Sequence, residues 1–291
     1  MSRVQDERWL QSLFHGYLTH TPDHLDIGFE LDVPERRQSD RSALSLSIHP
    51  LRFADDIFFS FRTNDDALAE RLRRYEVNYN LFYAYADLAR ATYLKTVKKN
   101  GILAENALLL VGQTERDRVI FDGERYLSLI DFVEQIASIA AQYDAVYFKP
   151  HPYARNSRTV FRMLKRRLGK VEITHDNIYH LLSNDRLGHV AGLNSSVLYE
   201  AEYFRKGVTF FHKQTFDFHT KDIGIYGDYW NASFWADLFG MEAQGVSLPF
   251  VPNRLRKALN DFWGYNEISD EIILKDIMKS KVKFFLSRYI R

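Results

Sequence analysis

Short apolar runs alternate with amphipathic stretches along the middle of the chain, between residues 106 and 211. A continuous apolar run of about five residues is typical of a strand that is buried on both faces, as in parallel sheets. We therefore predict five strands, at residues 107–111, 145–148, 171–174, 187–193 and 208–211. Helices are predicted between them, at residues 127–142, 155–168, 178–182 and 197–204. This alternation predicts βαβ units around a mostly parallel sheet.

The two ends of the chain follow other patterns. Upstream, apolar runs predict strands at residues 44–48 and 57–61, and a helical pattern extends from Asp66 to about Lys98. Downstream, residues 253–291 predict two helices. We therefore expect an α/β protein of two lobes with C-terminal helices that pack back on them. The predicted domains are an N-terminal lobe, a Rossmann-like lobe and the C-terminal helices, over residues 1–105, 106–245 and 246–291.

The composition removes several classes of function. The 291 residues contain no cysteine, which excludes disulfides, thiolate metal sites and cysteine nucleophiles. The formal net charge of +1 gives no reason to expect a nucleic-acid partner. No apolar run approaches the roughly 20 residues that span a bilayer, and the N-terminus has no apolar signal core. We therefore expect a cytoplasmic protein.

The last residues of the chain form a basic segment. Between Lys275 and Arg291 the sequence has six Lys or Arg residues and one Asp. One interpretation is a helix that packs on the protein and exposes a basic face. The other is a peripheral contact with anionic lipid on the inner face of the inner membrane.

A Lys-Pro-His-Pro segment directly follows the predicted strand 145–148. It places Lys149 and His151 at the carboxyl edge of the sheet, where doubly wound sheets bind their ligands. His151 can donate to a phosphate oxygen, Lys149 adds a positive charge, and the prolines restrict the backbone. The alternative is a loop in which the histidine is incidental.

A second polar segment, Asn194-Ser195-Ser196, follows the predicted strand 187–193. Asn194 or Ser195 can cap the next helix, whose first N–H groups form an anion site together with the two hydroxyls. Glu200, one turn further on, can accept a hydrogen bond from a ribose hydroxyl. The alternative is an ordinary helix start. Together with the Lys-Pro-His-Pro segment, the Asn194-Ser195-Ser196 segment predicts a phosphate site.

A third segment, from Gln113 to Asp117, follows the predicted strand 107–111 and should face the same crevice. Glu115 and Asp117 are candidate carboxylates for a nucleophile, a base or electrostatic stabilisation of an oxocarbenium-like centre. Arg116 can balance charge on a donor. The alternative is a charged surface loop.

Other polar residues have a structural and a functional alternative. His175 and Asp176 form either a loop with a helix cap or part of a site that binds a base. Trp230 belongs either to the core or to a surface that stacks on a sugar. His49 and the pair Asp55-Asp56 lie either in an ordinary loop or opposite an acceptor.

Several signatures are missing from the sequence. There is no HExxH motif, no DxD motif between strands, no Walker loop, no GxGxxG and no GxSxG elbow. We therefore expect no metal and no bound cofactor.

The strand-borne KPHP at 149–152 and the NSSxLxEA segment from Asn194 to Ala201 resemble the bacterial capsule polysaccharide biosynthesis proteins. Within these, residues 106–240 look most like the retaining β-Kdo transferases, which use CMP-Kdo. Related His-Pro and Ser-Ser pairs also occur in bacterial sialyltransferases and teichoic-acid polymerases. The N-terminal lobe of about 105 residues is short for the GT-B-like architecture of this family. The acceptor side is therefore trimmed, or the chain is one module of a longer protein.

The resemblance implies a GT-B-like architecture with two Rossmann-type lobes, a nucleotide-sugar donor, a glycan or lipid-linked glycan acceptor, and no metal. It assigns the phosphate to His151, Ser195 and Ser196, and a covalent sugar intermediate to Asp117, with Glu115 as the competing choice. The candidate catalytic residues are therefore Asp117, Glu115 and His151. Around these we place Lys149, Asn194, Glu200 and Gln113 as further donor contacts. The rival functions are a CMP-sialic acid-dependent sialyltransferase, a CDP-glycerol-type phosphotransferase, and a non-catalytic module that binds nucleotides or glycans.

Overall fold

The computed structural model describes most of the chain. The described residues are 13–14, 17, 22–29, 33, 41–49, 51–96, 103–213, 217, 221–243 and 245–263. The chain divides into two compact units. Unit 1 takes its residues from Met1–Leu81 and Phe216–Glu267, and unit 2 from Phe82–Thr215 and Ile268–Arg291. The domain limits expected at residues 105 and 245 stay a prediction.

Two further expectations concern membranes. In the described ranges, no helix is both long enough and apolar enough to cross a bilayer. The basic segment from Lys275 to Arg291 lies outside the described residues, so its contact with lipid stays a prediction.

Unit 1 contains a four-stranded mixed sheet. Its strands, in spatial order, are β1 (Leu25–Phe29), β2 (Ser42–His49), β3 (Phe58–Thr63) and, from late in the chain, β9 (Ile223–Ile225). β1 and β2 are parallel, whereas β2 with β3 and β3 with β9 are antiparallel. The α/β class is confirmed, but this sheet is not mostly parallel. The connection between β2 and β3 is shorter than the dozen or so residues that a parallel crossover needs.

Unit 1 contains the helices α1 (Asp66–Arg73), α7 (Ala232–Phe239) and α8 (Arg254–Trp263), whereas α2 (Asn80–Thr96) starts at the end of its first segment and belongs mostly to unit 2. The structure therefore divides the single helix predicted from Asp66 to about Lys98 in two. The chain between α1 and α2 pairs with β9, since Glu76 forms a bridge with Ile225 and the Val77 N–H donates to Gly224 O at 2.8 Å. This pairing takes the backbone out of the helical conformation.

Aromatic side chains form the core of unit 1. Phe14, Phe59, Tyr229, Trp230 and Trp235 are all buried, with Phe14 packed against each of the other four at ring centroids of 5.0 to 6.0 Å. Burial of large aromatic rings is a major source of stability in such cores. Trp230 therefore belongs to the core, which is the structural alternative.

Unit 2 contains a five-stranded parallel sheet, as predicted. Its strands are β4 (Ala107–Val111), β5 (Ala145–Lys149), β6 (Val171–Ile173), β7 (Leu187–Gly192) and β8 (Gly207–Phe210). All neighbouring pairs are parallel, in the order β6-β5-β4-β7-β8. Over the described residues, this is the 3-2-1-4-5-6 order of a doubly wound Rossmann-type sheet without its sixth strand. Every residue of β4 is buried, because the central strand is covered on both faces.

The connecting helices of unit 2 also match the prediction closely. They are α3 (Val133–Ala140), α4 (Ser157–Leu168), α5 (Ile178–Ser183) and α6 (Ser196–Tyr203). Two short 3₁₀ helices, at Arg118–Ile120 and Leu129–Phe132, precede α3. The region predicted as one helix from 127 to 142 therefore starts as a 3₁₀ turn, whose N-cap is Ser128.

Candidate functional site

The strand order of unit 2 defines where a ligand would bind. β4 and β7 are neighbours, but the chain moves outward from β4 to β5 and β6 before it returns on the other side to β7 and β8. In doubly wound sheets the crevice lies at this switch point, beyond the carboxyl ends of the two strands. The loop that follows β4 holds Gln113, Glu115 and Asp117, and the loop that follows β7 holds Asn194 and Ser195.

Gly112, the first residue after β4, allows two loops to lie close together. Its N–H donates to Lys149 O at 2.8 Å. A Cβ at this position would lie 3.1 Å from the backbone nitrogen of His151 and 3.3 Å from Lys149 O. Both neighbours are backbone atoms with little room to move. The absence of a side chain therefore keeps the Lys-Pro-His-Pro segment against the end of β4.

Gln113 connects the loops at the switch point. Its Nε2 donates to Asn194 O at 3.3 Å and to Asp117 Oδ2 at 3.1 Å, while its Oε1 accepts the Asn194 N–H at 3.3 Å. The side chain thus pairs with both backbone groups of one residue and with a carboxylate from its own loop. The structure brings Gln113, Asp117 and Asn194 together in one hydrogen-bonded network.

Asp117 is partly buried and held at both carboxylate oxygens. Oδ2 accepts from Gln113, and Oδ1 accepts the Val119 N–H at 3.2 Å, just before the 3₁₀ turn at Arg118–Ile120. Each oxygen keeps further acceptor capacity, because a carboxylate has about four lone-pair sites. The group is therefore oriented and can still face a ligand.

Glu115 has a different role in this structure. Its Oε1 accepts the backbone N–H groups of Arg155 and Asn156, the latter at 2.5 Å, at the start of α4. Asn156 makes no side-chain cap of its own, so Glu115 supplies the acceptor. Burial raises the pKa of Glu115, but the N–H groups of its own backbone, Asn156 and Arg155 outweigh it, and the pKa lies below its usual value. A lowered pKa makes this carboxylate a weak base.

Lys149 is the last residue of β5 and His151 lies two residues further on, on the other side of β4 from the switch point. The Lys149 ammonium donates to Asp176 O at 2.5 Å. Burial lowers the pKa of Lys149 to about 8, and the nearby Asp176 charge only partly offsets it. The Nδ1 atom of His151 accepts the Tyr153 N–H at 3.2 Å, which leaves Nε2 as the nitrogen that carries the proton in the neutral ring.

The loop after β6 is organised around a helix cap. Asn177 is the N-cap of α5 and accepts the Tyr179 N–H at 2.8 Å, so the capping residue is not Asp176. The Asp176 carbonyl instead receives the Lys149 ammonium. The contact with Lys149 places this loop beside the end of β5.

The start of α6 has the predicted form. Ser195 is its N-cap and accepts the Val197 N–H at 3.4 Å, while Ser196 is exposed. Asn194 is buried, and its side chain donates to Lys213 O at 2.6 Å. The side-chain amide thus stabilises the loop, whereas the two hydroxyls and the first turn of α6 remain suited to an anion.

Glu200 lies in the interior of unit 2. It is only 2% exposed, and its Oε2 accepts from the Tyr179 hydroxyl at 2.8 Å. Nothing in the sequence indicated Tyr179, because only the packing of α5 against α6 brings these distant residues together. A ribose contact by Glu200 stays a prediction, and its described partner is a buried tyrosine.

A small cavity of about 20 Å³ lies between the β4 loop and the start of α4, lined in part by Gln113, Glu115, Asn156 and Ser157. A cavity of this volume holds about one water molecule. The convergence of His151, Ser195 and Ser196 on one phosphate stays a prediction, and the strand order places their loops on either side of β4.

Two of the polar candidates of unit 1, His49 and Asp56, are buried and have structural contacts, whereas Asp55 is exposed. His49 is 1% exposed and packs edge-on against Phe58, and burial lowers its pKa to about 3. Asp56 is fully buried and accepts the N–H groups of Leu255 and Arg256 at the start of α8, at 2.8 and 3.0 Å. Neither side chain lies in an open loop, because both are buried inside the unit.

The fold and the switch-point loops together define a Rossmann-type α/β protein with a candidate nucleotide site. No protein-family model matches the chain, and no curated protein matches its sequence. Among solved structures, the β-Kdo 2,7-transferase KpsC of Thermosulfurimonas dismutans matches with 14% identity and a TM-score of 0.37, covering 82% of this chain and 78% of that chain. A likeness of this size is too weak to decide activity or substrate. The fold class depends instead on the strand order described above.

Proposed function

We propose that the chain is a glycosyltransferase that moves Kdo from CMP-Kdo to a glycan or lipid-linked glycan in capsule or lipopolysaccharide synthesis. The observation that supports this is the network of Gln113, Asp117 and Asn194 at the switch point of the parallel sheet. It joins an oriented carboxylate to the loop that starts α6. Doubly wound sheets bind nucleotides at this position.

In the proposed complex the phosphate of the donor binds at the start of α6, where Ser195, Ser196 and the first N–H groups donate to it. Lys149 and His151 add charge and a further donor from the neighbouring loop. With a pKa of about 8, Lys149 is still mostly protonated at pH 7. A bound phosphate would raise that pKa further, because an anion stabilises the ammonium form.

The proposed reaction has two displacements at the anomeric carbon. First, an oxygen of Asp117 forms a bond to that carbon while the bond to the phosphate oxygen breaks, and CMP leaves with the electron pair. Next, the oxygen of an acceptor hydroxyl attacks the same carbon, a nearby carboxylate takes its proton, and Asp117 leaves as a carboxylate. Two inversions give net retention.

Replacement of Asp117 with Asn tests this proposal. We expect Asp117→Asn to lower transfer from CMP-Kdo by at least about 10³-fold, because an amide is a far poorer nucleophile than a carboxylate. CMP binding, measured by calorimetry, should persist in the variant. Asp122→Asn is the matched control, because Asp122 lies in an exposed turn in which Asn can make the same backbone contacts.

Four results would contradict parts of the proposal. Full transfer activity in Asp117→Asn would show that Asp117 is not the nucleophile. An equal loss in Glu115→Gln but not in Asp117→Asn would exchange the roles of the two carboxylates. CMP binding without turnover of CMP-Kdo, CMP-sialic acid or CDP-glycerol would favour the non-catalytic module. Turnover of CMP-sialic acid alone, or of CDP-glycerol alone, would show that this compound is the donor instead of CMP-Kdo.

A further inference from the structure

We infer that Gln113 is a positioning residue that fixes the carboxylate of Asp117 relative to the start of α6, and not a ligand of the donor. The catalytic meaning of this role depends on the proposed function. The hydrogen bonds that define it do not. Gln113 follows Gly112 directly, so its backbone is held at the end of β4, and only its side chain reaches across to the β7 loop.

The surroundings of the amide determine its orientation. Of the two polar atoms of the Gln113 amide, only the oxygen can accept a backbone N–H. Oε1 must therefore face the Asn194 nitrogen, 3.3 Å away. Nε2 then faces two acceptors, Asn194 O at 3.3 Å and Asp117 Oδ2 at 3.1 Å. The flipped amide would place its oxygen against Asn194 O and Asp117 Oδ2, and its NH₂ group against the Asn194 N–H. The assignment therefore follows from the network.

This orientation uses both hydrogens of the amide nitrogen. One is donated to Asn194 O and the other to Asp117, so no amide N–H remains for a phosphate oxygen. The Val119 N–H holds the second oxygen of Asp117. Two donors on two different oxygens fix the plane of the carboxylate as well as its position. Such fixed orientation is what a nucleophile needs for attack along a defined line.

The test is to replace Gln113 with Glu, which has the same shape but replaces the amide nitrogen with oxygen. The Asn194 N–H keeps its acceptor, while Asp117 loses a donor and gains a negative charge at the same distance. Like charges at this separation favour protonation of one of them. We expect the acidic limb of the kcat/KM profile to move up by about one pH unit or more, with kcat lowered about 10²-fold. KM for the donor and the affinity for CMP should change little.

Two further variants keep the test decisive. Gln113→Met has a similar length and no charge, so it removes the donor without adding repulsion. We expect it to lower kcat while it moves the acidic limb less than Gln113→Glu does. Gln135→Glu is the matched control, since it makes the same chemical change at an exposed position on α3. Urea unfolding of each variant shows whether it is folded.

A measurement that needs no turnover separates this inference from the proposed function. The carboxyl carbon of Asp117 is followed by NMR at neutral pH and assigned by its loss in Asp117→Asn. Its chemical shift should change in Gln113→Met, which removes the donor to Asp117, and stay unchanged in Gln135→Glu. An unchanged chemical shift in Gln113→Met, or weaker CMP binding with kcat retained, would overturn the positioning role. A wild-type protein that transfers no sugar would contradict the proposed function but would leave this measurement as a test of the positioning role.

Discussion

Two carboxylates in different units of the molecule have the same structural role. In unit 1, Asp56 accepts the N–H groups of Leu255 and Arg256 at the start of α8. In unit 2, Glu115 accepts those of Arg155 and Asn156 at the start of α4. Each carboxylate contacts the start of a helix that is distant in sequence, and each supplies hydrogen-bond acceptors for N–H groups there.

The pKa values of these two carboxylates are shifted in opposite directions. Burial raises the pKa of Asp56, although three backbone N–H groups and the Arg256 charge pull it down. Burial acts on Glu115 as well, but there the N–H groups win and the pKa is lowered. Asp56 is 0% exposed, whereas Glu115 keeps some contact with solvent. The depth of burial therefore decides the sign of the shift when the hydrogen bonds are alike.

Asp117 differs from both of them. It caps no long helix, and its partners are the Val119 N–H and the side chain of Gln113. A carboxylate soon after a strand is thus not by itself a sign of catalysis, because two of these three are used to stabilise helix starts. What singles out Asp117 is its connection across the switch point to Asn194.

The largest effect on stability is expected from Asp56→Ala. It leaves the backbone N–H groups of Ile57, Leu255 and Arg256 without their acceptor and removes the negative charge beside Arg256, which is 1% exposed. Breaking such a buried arrangement costs about 3–5 kcal/mol of unfolding free energy. Urea unfolding of the full chain measures it. Asp23→Ala, at an exposed position in unit 1, is the matched control.

Asp56→Asn refines this result, because the amide oxygen can still accept the N–H groups of Ile57 and Arg256 while the charge is lost. Its cost should be smaller than that of Asp56→Ala. A loss of less than about 1 kcal/mol in Asp56→Ala would show that the start of α8 does not need this carboxylate.

A smaller effect is expected from Glu115→Ala. The variant leaves the start of α4 without an acceptor, because the side chain of Asn156 does not cap it. Loss of a cap lowers the unfolding free energy by about 1 kcal/mol. The same urea experiment measures it, with Glu124→Ala in an exposed loop as the control. An unchanged midpoint would mean that solvent satisfies these N–H groups equally well.

The strands of unit 2 could be predicted because each is a short, mostly apolar run between helical stretches. Ala107–Val111 is the clearest, since every residue is buried and the sequence is continuously apolar. The strand order of unit 1 was harder to predict, because it depends on contacts between residues that are remote in sequence. Ile223–Ile225 joins the sheet beside β3, and its pairing with Glu76 and Val77 interrupts the helical pattern there. No local period carries that information.

The location of the candidate site could be predicted, but its internal contacts could not. Strand ends place Gln113, Asp117 and Asn194 at one edge of the sheet, and this follows from the apolar pattern. The sequence does not show that Gln113 bonds to both of the others, nor that Glu115 turns to α4 and Glu200 to Tyr179. Those choices depend on side-chain geometry once the loops have packed.

The finest test of the comparison is the pH dependence of the two carboxylates in variants that keep their shape. The folded pKa of Glu115 is lowered from 4.5, so its charge contributes stability above that pH, and the contribution is lost as the pH falls through the folded pKa. The folded pKa of Asp56 is raised from 3.8, so its contribution is complete below that pH and is lost as the pH rises through the folded pKa. The two effects have opposite signs.

Urea unfolding from about pH 4 to about pH 7 should therefore separate Asp56→Asn from Glu115→Gln. As the pH rises, the stability of Asp56→Asn should improve relative to wild type, and that of Glu115→Gln should decline relative to wild type. Each difference is expected to be small, because a helix start offers either carboxylate only a few donors. Slopes of the same sign in the two variants would mean that depth of burial does not distinguish these sites, and that the hydrogen bonds alone set both pKa values.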